Sequence, residues 1–277
     1  MAIRGGYSGI CTLGGEKIRV KNFNVNLKQE VEYYEHIIGL RDSIPYGQNA
    51  KGDVGAQNTQ QVFWRPGVKL CSGSFSFPAT TLSLGNIWQL AKSGDDFELD
   101  FAYDCENVSR TFHECKVNTF TFTATAGDVL QLQVDVMART MTESSGSSPY
   151  TESQKLITWD TVKVGGPSYD AIQQFNFTVN NNCIPIYTAG SNDYFELFPR
   201  QIRVGMQKLQ GTLVYYTKGL SYEDLYSGSV SETITLDVAD SFSESLTVIY
   251  KPIERAGNPK LPLHTLPFVG YKRPMGA

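Results

Sequence analysis

The groups in this sequence with the chemistry to catalyse or to hold a metal are few: three histidines (His36, His113, His264), five cysteines and one dense acidic cluster. His113-Glu114-Cys115, with Cys105 upstream, is the nearest approach to a metal site. Residues two apart on a strand share a side, so His113 and Cys115 are expected to face together. No second CxxC- or HxxxH-type pair completes four ligands, and the expectation is a strand surface with a core thiol. Asp95, Asp96, Glu98 and Asp100 lack the DxDxDG spacing and Gly turn of a calcium loop. Glu98 and Asp100 alternate with Phe97 and Leu99, which puts them on the solvent face of a strand. No pair of carboxylates is singled out for glycoside hydrolysis. The GxSxG, HExxH, P-loop and GxGxxG patterns are absent. Trp64, Trp88 and Trp159 could form a sugar-stacking surface, but Trp88 falls on an apolar helix face and reads as core. The residues therefore assign no catalytic, cofactor-binding or metal site, and the chain is not expected to be an enzyme.

Composition narrows the class further. The chain has 277 residues, 41% of them hydrophobic, with 25 Gly and abundant Tyr, Phe, Val and Thr. That supports sizeable cores and leans towards β structure. The net charge of −4 leaves no global basic footprint for holding nucleic acid. Met1 to Gly6 carries no apolar signal core, and no run approaches the roughly 18 apolar residues of a membrane span. Neither membrane insertion nor secretion by the common route is expected. Cys11, Cys71, Cys105, Cys115 and Cys183 are odd in number and irregularly spaced, so reduced thiols in a cytoplasmic setting are expected.

The organising feature is an internal echo. Gly67 to Phe101 has a degenerate copy from Gly205: Gly67 and Gly73 correspond to Gly205 and Gly211, and Ser74–Phe77 to Thr212–Tyr215. Leu82-Ser83 corresponds to Leu220-Ser221, Ser93-Gly94 to Ser227-Gly228, and Leu99–Phe101 to Leu236–Val238. Upstream, Phe23–Leu27 is echoed by Phe175–Val179. Self-similarity of this extent predicts two tandem domains: residues 1–141, a linker at 142–155, and residues 156–277.

In chain order, residues 1–16 read as a Gly-rich arm and Ile18 to Leu27 as a half-buried strand with a bulge near Lys21-Asn22. Val31 to Ile38 is a second strand, followed by a long polar loop, 43–60, read as a contact arm. Leu84, Ile87, Trp88 and Ala91 mark one face of a short helix, with Ser83 or Asn86 to open it and Gly94 to close it. Val117–Thr125 and Leu130–Ala138 flank a hairpin turn at Ala126-Gly127-Asp128. The second copy repeats this plan through Leu156–Val162, Phe175–Val179, Ile184–Tyr187 and Ile202–Thr217. A helix opened by Ser221 follows, then Glu232–Val238 and Leu246–Tyr250. Pro259 and Pro262 interrupt its last strand, which is expected to be an edge or absent. Residues 251–277 read as an extended basic arm.

This order of elements resembles the phage tail tube proteins. The resemblance implies a mainly β fold, here two tandem β-sandwich or barrel domains of the tube type, each flanked by one short α-helix. It implies a structural virion protein whose stacked rings conduct DNA during ejection. With two domains per chain, three chains would make a pseudo-hexameric ring. The implied partners are the chain itself and the tail sheath, baseplate and tape-measure proteins. Genomic DNA would pass without specific binding, and no membrane is involved. The implied location is the virion tail, with assembly in the host cytoplasm. A neutral or acidic lining avoids phosphate contacts that would hold DNA. Asn24/Asn26, Asn176/Thr178, Gln131/Gln133/Asp135 and Glu98/Asp100 are candidates to supply it. Alternative readings are a ring protein of a baseplate or contractile injection machine, or a carbohydrate-binding β-sandwich module.

Overall fold

The computed structural model describes residues 9–13, 16–37, 60–103, 108–145, 155–165, 172–188, 197–216, 232–239, 242–251, 254–255 and 263–272. The fold is mainly β, with one α-helix among the described residues. The first half contains β1 (Gly9–Leu13), β2 (Glu16–Val20), β3 (Asn26–Ile37), β4 (Gln60–Pro78), α1 (Thr81–Ser93), β5 (Phe97–Tyr103), β6 (Val108–Thr125), β7 (Gln131–Ala138) and β8 (Thr140–Ser145). Its antiparallel neighbours run β3-β4-β7-β6-β5-β1-β2, with β8 also on β6. The second half contains a 3-10 turn (Trp159–Thr161), β9 (Val162–Gly165), β10 (Ile172–Asn180), β11 (Ile184–Ile186), β12 (Gln201–Arg203), β13 (Gln207–Tyr216), β14 (Glu232–Val238), β15 (Phe242–Tyr250), β16 (Glu254–Arg255) and β17 (Leu263–Lys272). Its neighbours run β10-β13-β17-β15-β14-β9. From β3 to β1 the first half thus follows the same chain order of pairing as the second half from β10 to β9, and β2 has no counterpart among the described strands. The halves join where β6 pairs with β10, from Gln174↔Thr125 to Asn180↔Thr119.

Alternation of apolar and polar residues fixes which face of each strand is buried. Phe120, Phe122, Leu132, Val134, Phe175, Phe177, Leu213 and Phe268 point into one core with Leu99, Phe101 and Phe112 of the opposing layer. Phe23 bridges the layers: its ring stacks on Phe101 with centroids 3.5 Å apart and lies 5.8 Å from Phe75. Full burial of each such aromatic is worth about 1.5–3 kcal/mol. The helix forms where the sequence predicts, with Leu84, Ile87, Trp88 and Ala91 buried. Its opening residue is Thr80 rather than Ser83 or Asn86. Thr80 and Ser83 form a reciprocal capping box, while Gly94 closes the helix in the left-handed region (φ 70).

Several expectations are corrected. Gly9–Leu13, read as part of an arm, is a core strand with Ile10, Cys11 and Leu13 buried. Its apolar residues stand among glycines that mask the pattern, and Gly9 is there because a side chain would strike Ala102 of β5. Val31 does not open a new strand: β3 is continuous, with a register shift between Gln29 and Val31. The irregularity near Lys21 is a left-handed residue, Asn22 (φ 53), where the chain leaves β2. Leu156 and Thr158 make isolated bridges rather than a strand. The segment 202–217 divides into β12 and β13.

The last strand is neither edge nor absent. β17 lies between β13 and β15 despite Pro267. Pro267 turns its carbonyl, and so the place of its missing N–H, towards the end of the β15 ladder, where Lys251 N donates to Pro267 O at 2.8 Å. The C-terminal arm is therefore in part a central strand. Likewise Thr142–Ser145 of the expected linker belongs to β8. The second helix (217–231) and loop residues 43–59 lie outside the described residues.

Candidate functional site

The constellation around His113 is structural. Glu114 is left-handed (φ 50), and the β5–β6 register shifts across it, from Phe97↔Cys115 to Leu99↔Phe112. That irregularity breaks the period of two, so Cys115 turns into the core while His113 stays at the surface. His113 Nδ1 meets Glu98 Oε2 at 2.6 Å and Nε2 meets Thr142 Oγ1 at 3.0 Å. Thr111 donates to Asp100 at 2.6 Å, and Lys116 pairs with Asp96 at 2.9 Å. Among the described residues no group of three or more His, Cys, Asp or Glu side chains converges on a metal position. Cys105 and the side chains of His36, His264 and Trp64 lie outside the described residues. Trp88 is buried and Trp159 packs on the core, so neither contributes to an exposed aromatic row. Cys11, Cys71, Cys115 and Cys183 are free and buried, and burial pushes Cys71 and Cys183 up to about 11.

What the fold does assemble is a broad polar sheet face. With the aromatic residues of β6 and β10 directed inward, Thr119, Thr121, Thr123 and Thr125 stand outward beside Asn180, Thr178, Asn176 and Gln174. β7 adds Gln131, Gln133 and Asp135 on one side, and β4 adds Ser72, Ser74 and Ser76. On the other side β13 adds Lys208, Gln210 and Thr212. Thr121 and Thr178 hydroxyls meet at 3.1 Å across the join of the halves. Of the face residues just named, Asp135 is the one carboxylate and Lys208 the one ammonium. Burial holds the Asp135 carboxyl above its usual range, with a hydrogen bond from Gln133 acting in the opposite direction. The sequence candidates Asn24/Asn26, Asn176/Thr178 and Gln131/Gln133/Asp135 are brought together here. Glu98 and Asp100 are not: they lie on the outer side of β5, in the opposing layer.

Two equivalent anchors hold this face. Asn24 Oδ1 accepts from the Ser74 N–H, and Asn176 Oδ1 accepts from the Thr212 N–H at 3.2 Å. The backbone carbonyls of Asn24 and Asn176 press on Gly73 and Gly211, closer than any side chain there would permit. A third anchor was invisible in the sequence. Asn181 is buried, and its Nδ2 donates to Ala91 O (2.9 Å) and Val117 O (2.8 Å). Its Oδ1 accepts from Gln207 at 2.7 Å. The helix end, β6, β10 and β13 are thereby tied at one corner. The run Asn180-Asn181-Asn182 was the available signal, but periodicity alone does not tell which amide turns inward.

The face has unpaired ends. β10 pairs with β13 and with β6, whereas β3, in the corresponding place of the first half, pairs only with β4 among the described strands. β6 pairs with β5, β7, β8 and β10, whereas β16 has β17 as its single described partner. Leu27, on the core-facing side of β3, is exposed at that open edge. No helix among the described residues is long and apolar enough to cross a membrane. The family model for phage tail tube protein matches residues 45–270. No curated protein matches the chain.

Proposed function

Given that the chain belongs to the phage tail tube proteins, we propose that three copies close into a ring whose inner wall is the polar sheet face. The family makes the chain a structural component of the virion tail that assembles into tubes with other tail proteins. The finer reading is that the two halves, expected as residues 1–141 and 156–277, are two copies of one tube domain, the first extended by β8 to Ser145. The common order of strand pairing supports it, as does register: Asn26↔Ser72 in the first half answers Thr178↔Gln210 in the second. The helix expected near Ser221 completes the second copy in this reading.

The observation that carries the ring is the pairing of β6 with β10. It is a contact between the two domains made inside one chain. The same contact repeated between chains pairs the open edge at β16 with the open edge of β3 in the next copy. Exposed strand edges are otherwise a hazard for uncontrolled association, and a head-to-tail contact closes when its rotation divides the circle. The edge-exposed Leu27 is then covered. Hydroxyls and amides face the channel, with little net charge to capture phosphates, so DNA passes without being retained.

Electron microscopy of the concentrated full-length protein tests this: hollow rings or tubes are expected, and solid filaments would contradict it. Lysine at Thr121 and Thr178 adds a test of which face is inside. Tubes of that variant are expected to retain DNA at low salt and release it as salt rises, and unchanged passage would place the face elsewhere.

A further inference from the structure

The two halves differ at one end of the sheet. In the first half the β3–β4 hairpin continues well past the end of β7. β7 stops at Ala138↔Cys71, while β3 and β4 stay paired to Ile37↔Gln60. At about 3.3 Å per residue this is roughly 35 Å of two-stranded ribbon beyond the sheet. The second half has the same hairpin in reduced form. Ile184↔Arg203 and Ile186↔Gln201 of β11 and β12 fall in the register positions of Glu32↔Arg65 and Tyr34↔Phe63. It is severed from β10 and β13 at Asn181–Cys183 and Val204–Met206, with Asn182 left-handed (φ 47), and forms a separate two-stranded sheet.

The severed hairpin does not project alone. Its return segment lies on the root of the long one. Lys69 N donates to Leu197 O at 2.6 Å, Tyr187 Oη donates to Lys69 O at 3.2 Å, and the Lys69 ammonium sits 5.4 Å from the centroid of the Phe198 ring. Arg139, just past the end of β7, donates from Nε to Pro199 O at 3.1 Å. Lys69 is the point on β4 at which β7 has ceased to pair, so the second half takes over the edge that β7 leaves open. A ribbon of two strands is marginal by itself in water, and a fixed root lowers the entropy lost when its far end docks.

We propose that the β11–β12 hairpin is a brace for the β3–β4 hairpin, so that each chain presents one ring-to-ring arm rather than two. The inference rests on the three-chain ring above. Its partner is a second copy of this chain in the adjacent ring, and successive rings touch at three arms although each contains six domains. The exposed apolar residues Ile184, within the brace, and Met206, just past it, are available to the adjacent ring.

Cryo-electron microscopy of tubes of the full-length chain, reconstructed with no more than threefold symmetry imposed, reads this directly. Three arms bridging each pair of rings are expected. Six equal bridges would overturn the brace and leave the three-chain ring standing, whereas a ring of six chains would overturn the ring reading itself. The Tyr187→Phe/Phe198→Ala variant gives an independent reading. Rings of unchanged mass with mean tube length reduced several-fold are expected. Tubes of normal length would overturn the proposal, and so would loss of the rings themselves, since the brace would then hold the ring and not the arm. If the double variant does not fold, each single exchange is read in the same way.

Discussion

Trp88 donates its indole N–H to Glu244 at 2.9 Å, hydrogen-bonding the helix of the first half to β15 of the second. Lys92 reaches the same carboxylate at 3.0 Å. The Trp88 ring packs on Phe120 of β6, Phe177 of β10 and Phe242 of β15, so the contact sits under the join of the two halves. Glu244→Ala leaves an indole donor without its partner in a largely buried place. A loss of about 1–2 kcal/mol is expected in denaturant unfolding, with a shift in Trp fluorescence. Glu244→Gln keeps an acceptor for Trp88 and should lose less. Equal losses from both would mean that the ion pair with Lys92, not the indole bond, carries the contact.

The paired anchors Asn24/Gly73 and Asn176/Gly211 give a second prediction. Gly73→Ala and Gly211→Ala each force a methyl group into an asparagine carbonyl that belongs to the neighbouring strand's backbone. Each is expected to destabilise by about 1–3 kcal/mol. A marked cost at one glycine and none at the other, in equilibrium unfolding, would show that the two sites are not equivalent.

Asp135 gives a prediction with a definite sign. Its carboxyl is held above the ordinary range by burial, so the charged form opposes folding at neutral pH. Asp135→Asn should therefore raise stability at pH 7. The gain should shrink as pH falls through the ordinary carboxylate range and vanish once both folded and unfolded states are protonated. A destabilised variant at pH 7 would indicate that the charge has a favourable partner.

The thiols should be inert in the folded chain. Burial raises Cys71 and Cys183 to about 11 and pushes Cys11 and Cys115 higher, so the thiolate that reacts is scarce at pH 8. In a Cys105→Ser variant, thiol titration with an aromatic disulfide should show no rapid reaction until denaturant is added. Stability should fall above about pH 9, where the unfolded thiols ionise and the folded ones do not. Fast labelling of the native variant would contradict the buried placement.

Legibility in the sequence followed periodicity. The face of α1 was readable because Leu84, Ile87, Trp88 and Ala91 repeat at helical spacing, and the β6–β7 turn was readable from Gly127 (φ 86). Gly73 and Gly211, partners in the sequence echo, each lie against an asparagine carbonyl, that of Asn24 and that of Asn176. Period-two logic failed at Glu114, where one left-handed residue sends His113 and Cys115 to opposite sides. The proline argument misplaced the last strand: Pro259 and Pro262 lie outside the described residues, and β17 begins after them at Leu263 and runs between β13 and β15. The polar face was legible residue by residue. Which polar stretches share it was not, since that depends on the β6–β10 join: Glu98 and Asp100 alternate like the face residues but lie in the opposite layer.

The most direct test of the account is the mass of a single ring, measured by native mass spectrometry on the smallest closed assembly of the full-length chain. Three chains per ring is the predicted result, because in the proposed ring each chain supplies two domains and a contact like that of β6 with β10 recurs at every boundary. A closed ring of six chains would contradict the account, since one of the two halves would then lie outside the wall.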